Sequence, residues 1–138
     1  MHTPWGFGML LGVLLLTACA QQARWDESLP LEQRLAQLGW RQGDAVKSVW
    51  RGDIDGWQYL DKRHMVLGTG PGRSYLVEFA YPCRNLSFSS TIGYSTTVGA
   101  LTTLDRIVSI DSTGTPAYCL IDGIYRLERV PRVEAGET

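Results

Sequence analysis

The chain has 138 residues, 44% of them hydrophobic and 20% charged, a length that suits one domain and a composition that excludes a largely disordered protein. Thirteen Lys and Arg against fourteen Asp and Glu leave a net charge of -1, which argues against a nucleic-acid binder because such proteins usually carry a basic excess. Three cysteines and two histidines are little material for a metal site, and we expect neither a metal nor a cofactor.

The first predicted element is an export signal. Residues 5–17 read WGFGMLLGVLLLT, an uncharged apolar run that is too short to span a bilayer as a helix and is typical of a secretory signal. The run ends in Leu16-Thr17-Ala18-Cys19, which resembles the lipobox of bacterial lipoproteins. The resemblance implies that residues 1–18 are a cleaved signal peptide and that Cys19 is lipidated. The alternative is a buried core segment that happens to precede a cysteine.

The lipobox resemblance also implies a location. Lipidated Cys19 would attach the protein to a membrane, since two or three acyl chains bind a bilayer far more firmly than one. The next residue is Ala20, whereas Asp in that position retains enterobacterial lipoproteins in the inner membrane. We therefore expect a lipid anchor on the periplasmic face of the outer membrane of a Gram-negative cell. Residues 19–29 would be a short polar tether that keeps the domain close to that membrane.

One short helix is predicted at the start of a single β-rich domain that spans residues 30–130. An apolar stripe at helical spacing is made by Leu31, Leu35 and Leu38. Ser28 is a candidate capping residue and Pro30 suits the first turn. Gly39 is a stop signal, so the helix is expected to end there.

From about residue 45 onward the pattern is typical of β-strands. Short alternating or apolar runs bounded by turn residues predict strands over 46–51, 57–60, 64–67, 74–79, 104–110 and 117–127, the last broken near Asp122-Gly123. The glycine-rich segment 68–72 is predicted to be a hairpin connection. The Ser/Thr-rich stretch 87–103 is predicted to be a long polar loop with one edge strand or, alternatively, a recognition loop, and residues 131–138 a polar tail. The expected fold is mainly β: a small antiparallel barrel or sandwich with one short N-terminal helix.

Two cysteines remain once Cys19 is assigned to the lipid. Cys83 and Cys119 belong to a chain that we expect to be exported, and disulfides persist outside the cytoplasm. We therefore predict that these two residues form a disulfide. The alternative is a pair of free buried thiols. A metal site is not expected, since two sulfurs and one histidine fall short of four ligands.

Several segments carry a resemblance to a known family. They are the stretch 57–67, Tyr75-Leu76-Val77, Cys83-Arg84-Asn85-Leu86, Asp105-Arg106-Ile107 and the run CLIDGIYRL over 119–127. Over residues 45–128 the chain resembles the DUF6491 family, which are small proteobacterial lipoproteins of unassigned function. The resemblance implies that the two cysteines are paired. It implies no particular activity, because none is assigned to the family.

Candidate catalytic residues are few. After export His64 is the only histidine, and a Ser-His-Asp site would need a hydroxyl of residues 87–103 beside it. The sequence contains no Gly-x-Ser-x-Gly motif. Asp53 and Asp55 match part of a calcium loop, but the other acidic positions of that pattern are not acidic here. As a catalytic pair these two carboxylates would point apart or into water, so we predict no catalytic, cofactor-binding or metal-binding residue.

Two functions from different classes remain. The first is a non-catalytic envelope module that binds a periplasmic protein or an envelope polymer, and a lysozyme-inhibitor-like module is a sharper version of it. The second is a small envelope hydrolase that uses His64. The expected lipid anchor and the small number of candidate catalytic residues favour the first. A pocket that holds His64, an acid and a hydroxyl would favour the second.

Overall fold

The computed structural model describes residues 27–89, 91–96 and 99–132. The export signal, Cys19 and residues 133–138 lie outside the described residues. The elements in chain order are α1 (Leu31–Gln37), β1 (Trp40–Ala45), β2 (Ser48–Trp50), β3 (Trp57–Asp61), β4 (His64–Leu67), β5 (Ser74–Phe79), β6 (Thr91–Tyr94), β7 (Ala100–Thr102), β8 (Arg106–Ile110) and β9 (Pro116–Arg129). Two short 3-10 turns, Arg51–Asp53 and Leu86–Phe88, follow β2 and precede β6.

The strands form one antiparallel sheet of seven and a separate pair. The long sheet has the order β3-β4-β5-β9-β8-β6, and β1 also pairs with β9. β5 lies along one edge of β9. β1 lies along the opposite edge, because Tyr125 pairs with both β5 and β1, and β8 pairs with the preceding residues 116–120 of β9. β2 and β7 form the separate pair. The sheet curls into a half-barrel, and the predicted antiparallel, mainly β fold with one short helix is confirmed.

The predicted break in the last strand is wrong. β9 runs without interruption from Pro116 to Arg129, but its pairing with β5 shifts, since Glu78 lies opposite Gly123 and Phe79 lies opposite Ile121. Asp122 is therefore the extra residue of a β-bulge. The Asp-Gly signal marks a bend within the strand, because an isolated glycine inside a strand is typical of a bulge.

The first part of the domain differs from the prediction in two ways. The sequence signals began near residue 45, yet Trp40–Ala45 already forms β1 along β9. Only Trp40 of this strand is buried, so the residues show no apolar alternation that would have predicted it. The predicted strand 46–51 shortens to β2, Ser48–Trp50, which pairs with β7.

Helix α1 is confirmed with a different start. Pro30 is the N-cap and no side chain caps the helix, so the predicted role of Ser28 is wrong. The N–H of Gly39 donates to the carbonyl oxygen of Ala36 at 3.0 Å, and Gly39 has φ +83°. Glycine adopts this left-handed conformation without steric cost, which is why the helix ends here as predicted.

Two apolar clusters form the core. The larger lies on one face of the curled sheet and contains Val49, Met65, Leu67, Tyr75, Val77, Phe79, Cys83, Leu86, Leu101, Ile107, Cys119, Ile121 and Ile124. The smaller joins α1 to the opposite face of the sheet and contains Leu35, Trp40, Leu60, Val66, Leu76 and Leu127. Within the described ranges, the structure holds no helix that is both long enough and apolar enough to cross a membrane.

The stretch 87–103 is more ordered than a loop with one strand. It contains β6, which ends the seven-stranded sheet, and also β7, which pairs with β2. The predicted edge strand is thus present, and a second strand was missed. The hairpin connection 68–72 is confirmed, because β4 and β5 on either side of it pair antiparallel.

Candidate functional site

A buried ion pair joins helix α1 to the end of β3. Arg34 is 5% exposed, and its Nη2 lies 2.7 Å from Oδ2 of Asp61. The same guanidinium donates to the carbonyl oxygens of Leu29 and Leu60, each at 3.0 Å. A buried charge is tolerated only when it is paired and hydrogen-bonded, and Arg34 meets both conditions.

The carboxylate of Asp61 is the centre of this cluster. Besides Arg34, it accepts a hydrogen bond from the backbone N–H of Arg63 at 2.7 Å and lies 2.9 Å from Nδ1 of His64. Burial by itself would raise the pKa of Asp61, but the hydrogen bonds from His64, Arg63 and Arg34 outweigh it and lower the pKa from 3.8 to about 2. Asp61 is therefore a carboxylate held firmly in its ionised form.

His64, the candidate catalytic histidine, lies between two carboxylates. Nδ1 faces Asp61, and Nε2 is 4.0 Å from Oε2 of Glu78, the residue directly opposite His64 on β5. An acid thus orients the imidazole, as a hydrolase would require. A Ser-His-Asp site also needs a hydroxyl at Nε2, and that nitrogen faces the carboxylate of Glu78.

The lowered pKa of Asp61 predicts acid sensitivity. Its pKa of about 2 in the folded state lies below the ordinary value of 3.8, so its contribution to stability is present above about pH 4 and is lost as the pH falls through about 2. We expect this loss to be about 2 kcal/mol in urea unfolding measured from about pH 5 downward. An Asp61→Asn variant should lack this component, whereas an Asp44→Asn variant should keep it. The same pH profile for Asp61→Asn and the wild type would contradict the prediction.

A groove of about 680 Å³ lies near these residues. It is lined by Tyr59, Lys62, Tyr81, Pro82, Cys83, Arg84, Asn85 and Ser87. One side comes from the end of β3 and the turn after it. The other side is the segment 81–87 that follows β5, which we call the Cys83 loop. His64 does not belong to the groove lining found in the described part of the chain.

The Cys83 loop is tied to the sheet at several points. The N–H of Cys83 donates to the carbonyl oxygen of Lys62 at 2.6 Å. The hydroxyl of Ser109, which is fully buried, donates to the carbonyl oxygen of Arg84 at 2.8 Å. The structure joins Cys83 to Cys119 in a disulfide with the Cα atoms 5.3 Å apart, which brings the two predicted partners together. A surface loop with these attachments has little freedom to rearrange.

The rest of the loop is held in the same way. Asn85 has φ +63°, a left-handed conformation in which asparagine is enriched. Its amide donates to Oδ2 of Asp111 at 3.4 Å, and its carbonyl oxygen accepts from the hydroxyl of Ser89 at 2.9 Å. Leu86 is 1% exposed in the core. The loop thus has a fixed backbone, while Tyr81, at 71% exposure, is directed to solvent.

Two cations belong to the lining of the groove. Its lining includes Lys62 and Arg84, both exposed, and none of its eight residues is acidic. The nearby Glu27 accepts a hydrogen bond from the hydroxyl of Tyr59 at 2.7 Å. Burial and this carboxylate raise the pKa of Tyr59. Asp111 accepts from the backbone N–H groups of its own turn and from the amide of Asn85. Each neighbouring acid thus contacts a side chain of the lining, and among the described residues neither forms an ion pair with Lys62 or Arg84.

Of the two aspartates that match part of a calcium loop, Asp55 contacts the hairpin connection instead. Oδ1 of Asp55 accepts from the N–H of Gly70 at 3.3 Å, and the carbonyl oxygen of Asp55 accepts from the N–H of Thr69 at 3.2 Å. Asp53 lies in the 3-10 turn after β2. Among the described residues, no three His, Cys, Asp or Glu side chains are grouped so that they could hold a metal ion.

Neither the role of Arg34 nor the groove was predicted from the sequence. Arg34 follows Leu31 by three residues and precedes Leu38 by four, so an arginine stood on the predicted apolar face of α1 and was the available signal. The groove gave no such signal, since Lys62 and Arg84 are 22 positions apart in the chain. They are brought together by the backbone hydrogen bond from Cys83 to Lys62.

The comparisons with known proteins give one match. The model of the DUF6491 family, described as a family of unknown function, matches residues 1–137. No curated protein and no solved structure matches the chain. The match extends the resemblance, expected over residues 45–128, to nearly the whole chain. Any function must therefore be argued from the residues of this chain.

Proposed function

The chain belongs to the DUF6491 family, and we propose that it is a lipid-anchored, non-catalytic binding module of the cell envelope that uses the groove beside the Cys83 loop. The Cys83 loop is the observation that carries the proposal. Its backbone is attached to the sheet by hydrogen bonds and a disulfide, yet Tyr81 and Arg84 stay exposed. Binding residues are often carried by loops on a rigid scaffold, and a preorganised loop loses little entropy on binding.

The surroundings of His64 support binding over hydrolysis. Its Nδ1 side is taken by Asp61, and its Nε2 side faces Glu78. A general base must reach the proton that it abstracts, and a carboxylate opposite Nε2 offers no nucleophilic hydroxyl. The Asp61–His64 contact also has a structural explanation, since Asp61 serves the buried Arg34.

The position of the groove agrees with an anchored protein. Glu27, hydrogen-bonded to Tyr59, holds the start of the described chain at the groove. Only residues 20–26 separate Glu27 from Cys19, and an extended chain of this length spans at most about 30 Å. A domain anchored through Cys19 would thus present the groove near the inner surface of the outer membrane, where a periplasmic protein or an envelope polymer is within reach.

Substitution of Cys19 tests the anchor. The lipobox Leu16-Thr17-Ala18-Cys19 needs the cysteine thiol as the site of lipid attachment, so Cys19→Ala should give an uncleaved precursor without lipid label. Metabolic labelling with a radioactive fatty acid and gel mobility would measure both effects. Cys83→Ala, which leaves the lipobox intact, is the matched control and should stay labelled. A processed and labelled Cys19→Ala protein would rule the anchor out.

Complementation of a deletion strain tests the groove against His64. We expect the double variant Lys62→Gln with Arg84→Gln to lose the ability to restore the envelope phenotype, because it removes both groove cations and leaves the backbone contacts of the loop in place. His64→Ala should restore it as well as the wild type does, and so should Asp53→Asn with Asp55→Asn.

The opposite pattern would favour the hydrolase. If His64→Ala abolishes complementation while the protein stays folded and anchored, and the groove variant complements fully, the binding proposal is wrong. Immunoblots of membrane fractions would show that each variant reaches the same level in the same place.

A further inference from the structure

We infer that the ligand of the groove is an acidic glycan, that is, a polysaccharide strand that carries carboxylate groups. This inference rests on the proposed function and narrows it to one class of envelope polymer. It is argued from three properties of the groove: its charge, the chemical types of its side chains, and its rigidity.

The charge selects an anionic ligand. Lys62 and Arg84 are the ionised side chains of the lining, and both are exposed. The nearest acids, Glu27 and Asp111, are hydrogen-bonded to Tyr59 and Asn85 of the lining, and among the described residues neither forms an ion pair with Lys62 or Arg84. The two cations are therefore available to a ligand, and an arginine can bind a carboxylate through two parallel hydrogen bonds.

The remaining side chains select a sugar. Tyr81 is 71% exposed and offers an apolar ring face together with a hydroxyl. Asn85 and Ser87 add amide and hydroxyl groups to the same lining. A sugar ring presents C–H groups on its faces and hydroxyl groups at its edge, which matches a tyrosine ring surrounded by hydrogen-bonding side chains.

Shape argues against a lipid surface. The lining is a concave groove of about 680 Å³ with the loop as one wall. A bilayer surface is flat on this scale, and proteins that insert into it do so with projecting apolar and basic side chains on one face. A concave site instead encloses a narrow strand, which is the geometry that a glycan chain offers.

The rigidity of the loop favours a repetitive, stiff ligand. The Cys83–Cys119 link and the hydrogen bond from Ser109 to the Arg84 carbonyl oxygen fix the backbone on which Tyr81 and Arg84 stand. The backbone positions that carry the ring and Arg84 are thus set before binding. A strand with a carboxylate at a fixed distance from each sugar ring can match these positions with little loss of backbone entropy in the protein.

Calorimetry with the full-length lipidated protein in neutral detergent micelles tests this inference. The probe is an oligogalacturonate, and a neutral maltooligosaccharide of equal length is its uncharged counterpart. We expect binding of the oligogalacturonate alone, weakened by added salt. Lys62→Gln with Arg84→Gln should reduce its affinity at least about tenfold, and Tyr81→Ala should also reduce it. Lys47→Gln with Arg73→Gln, two exposed cations outside the groove lining, should leave the affinity unchanged.

Several outcomes would overturn the inference. They are equal binding of the neutral and acidic sugars, an equal loss of affinity in the Lys47/Arg73 variant, and no binding of either sugar. Binding to phosphatidylglycerol vesicles through Lys62 and Arg84 without sugar binding would assign the groove to a lipid headgroup instead. The complementation result separates the ligand class from the binding function. If the groove variant fails to complement and oligogalacturonate does not bind, the ligand class is wrong and the binding function stands.

Discussion

Replacement of Asp61 by Asn is expected to lower the free energy of unfolding by about 2–5 kcal/mol. The change keeps the size of the side chain and removes the negative charge that Arg34 faces at 2.7 Å. Arg34 is 5% exposed, so its guanidinium would stay buried with only the carbonyl oxygens of Leu29 and Leu60 as partners. An uncompensated buried charge is among the costliest defects in a folded protein. Chemical denaturation at neutral pH would measure the effect.

An exposed ion pair in the same protein is the matched control. Arg41 and Glu128 also form an ion pair, with side chains that are 69% and 48% exposed. Glu128→Gln should therefore cost less than about 1 kcal/mol. Adding Arg34→Met to Asp61→Asn should recover part of the lost stability, since the double variant removes both charges. Equal effects of Asp61→Asn and Glu128→Gln would show that the buried pair is not needed for stability.

Removal of the cysteine pair is the second large change. Cys83→Ser with Cys119→Ser should lower the free energy of unfolding by about 3–4 kcal/mol, because the bridge closes a loop over a sequence separation of 36 and restricts the unfolded chain. Both residues are also buried in the larger core cluster, at 3% and 4% exposure, so the introduced hydroxyls add a cost of desolvation. Thermal and urea unfolding would give the magnitude.

Thiol alkylation checks the premise of this prediction. Under denaturing, non-reducing conditions neither Cys83 nor Cys119 of the protein isolated from cells should react, and both should react after reduction. Stoichiometric labelling without reductant would mean that the cysteines are free in the cell. Ser109→Ala is the control for the loop, since it removes one hydrogen bond to the Arg84 carbonyl oxygen and should cost about 1 kcal/mol.

The same double serine variant links stability to the proposed site. The Cys83 loop keeps its hydrogen bonds to Lys62 and from Ser109, but it loses its covalent link to β9. The positions of Tyr81 and Arg84 would then fluctuate more, and binding at the groove should weaken even under conditions where the domain is still folded.

The sequence by itself determined the elements whose signals are local. The strands His64–Leu67 and Ser74–Phe79 occur within the predicted bounds, because a short apolar run between turn residues needs no information from elsewhere in the chain. Gly39 ends the helix for a similar reason, since a glycine at positive φ is a property of its own backbone. The pairing of Cys83 with Cys119 could be predicted from the sequence, because the assignment of Cys19 to a lipid left no other cysteine as a partner.

The tertiary structure alone decided the features that join distant segments. β1 has mostly exposed side chains and is a strand only because β9 provides hydrogen-bond partners about 85 residues later. Arg34 lies on the apolar face of α1, and only the fold places Asp61 and the Leu60 carbonyl oxygen within hydrogen-bond distance of it. The groove exists because the end of β5 folds back onto the turn after β3. Such contacts depend on sheet order and register, which the hydrophobic pattern of a single strand does not specify.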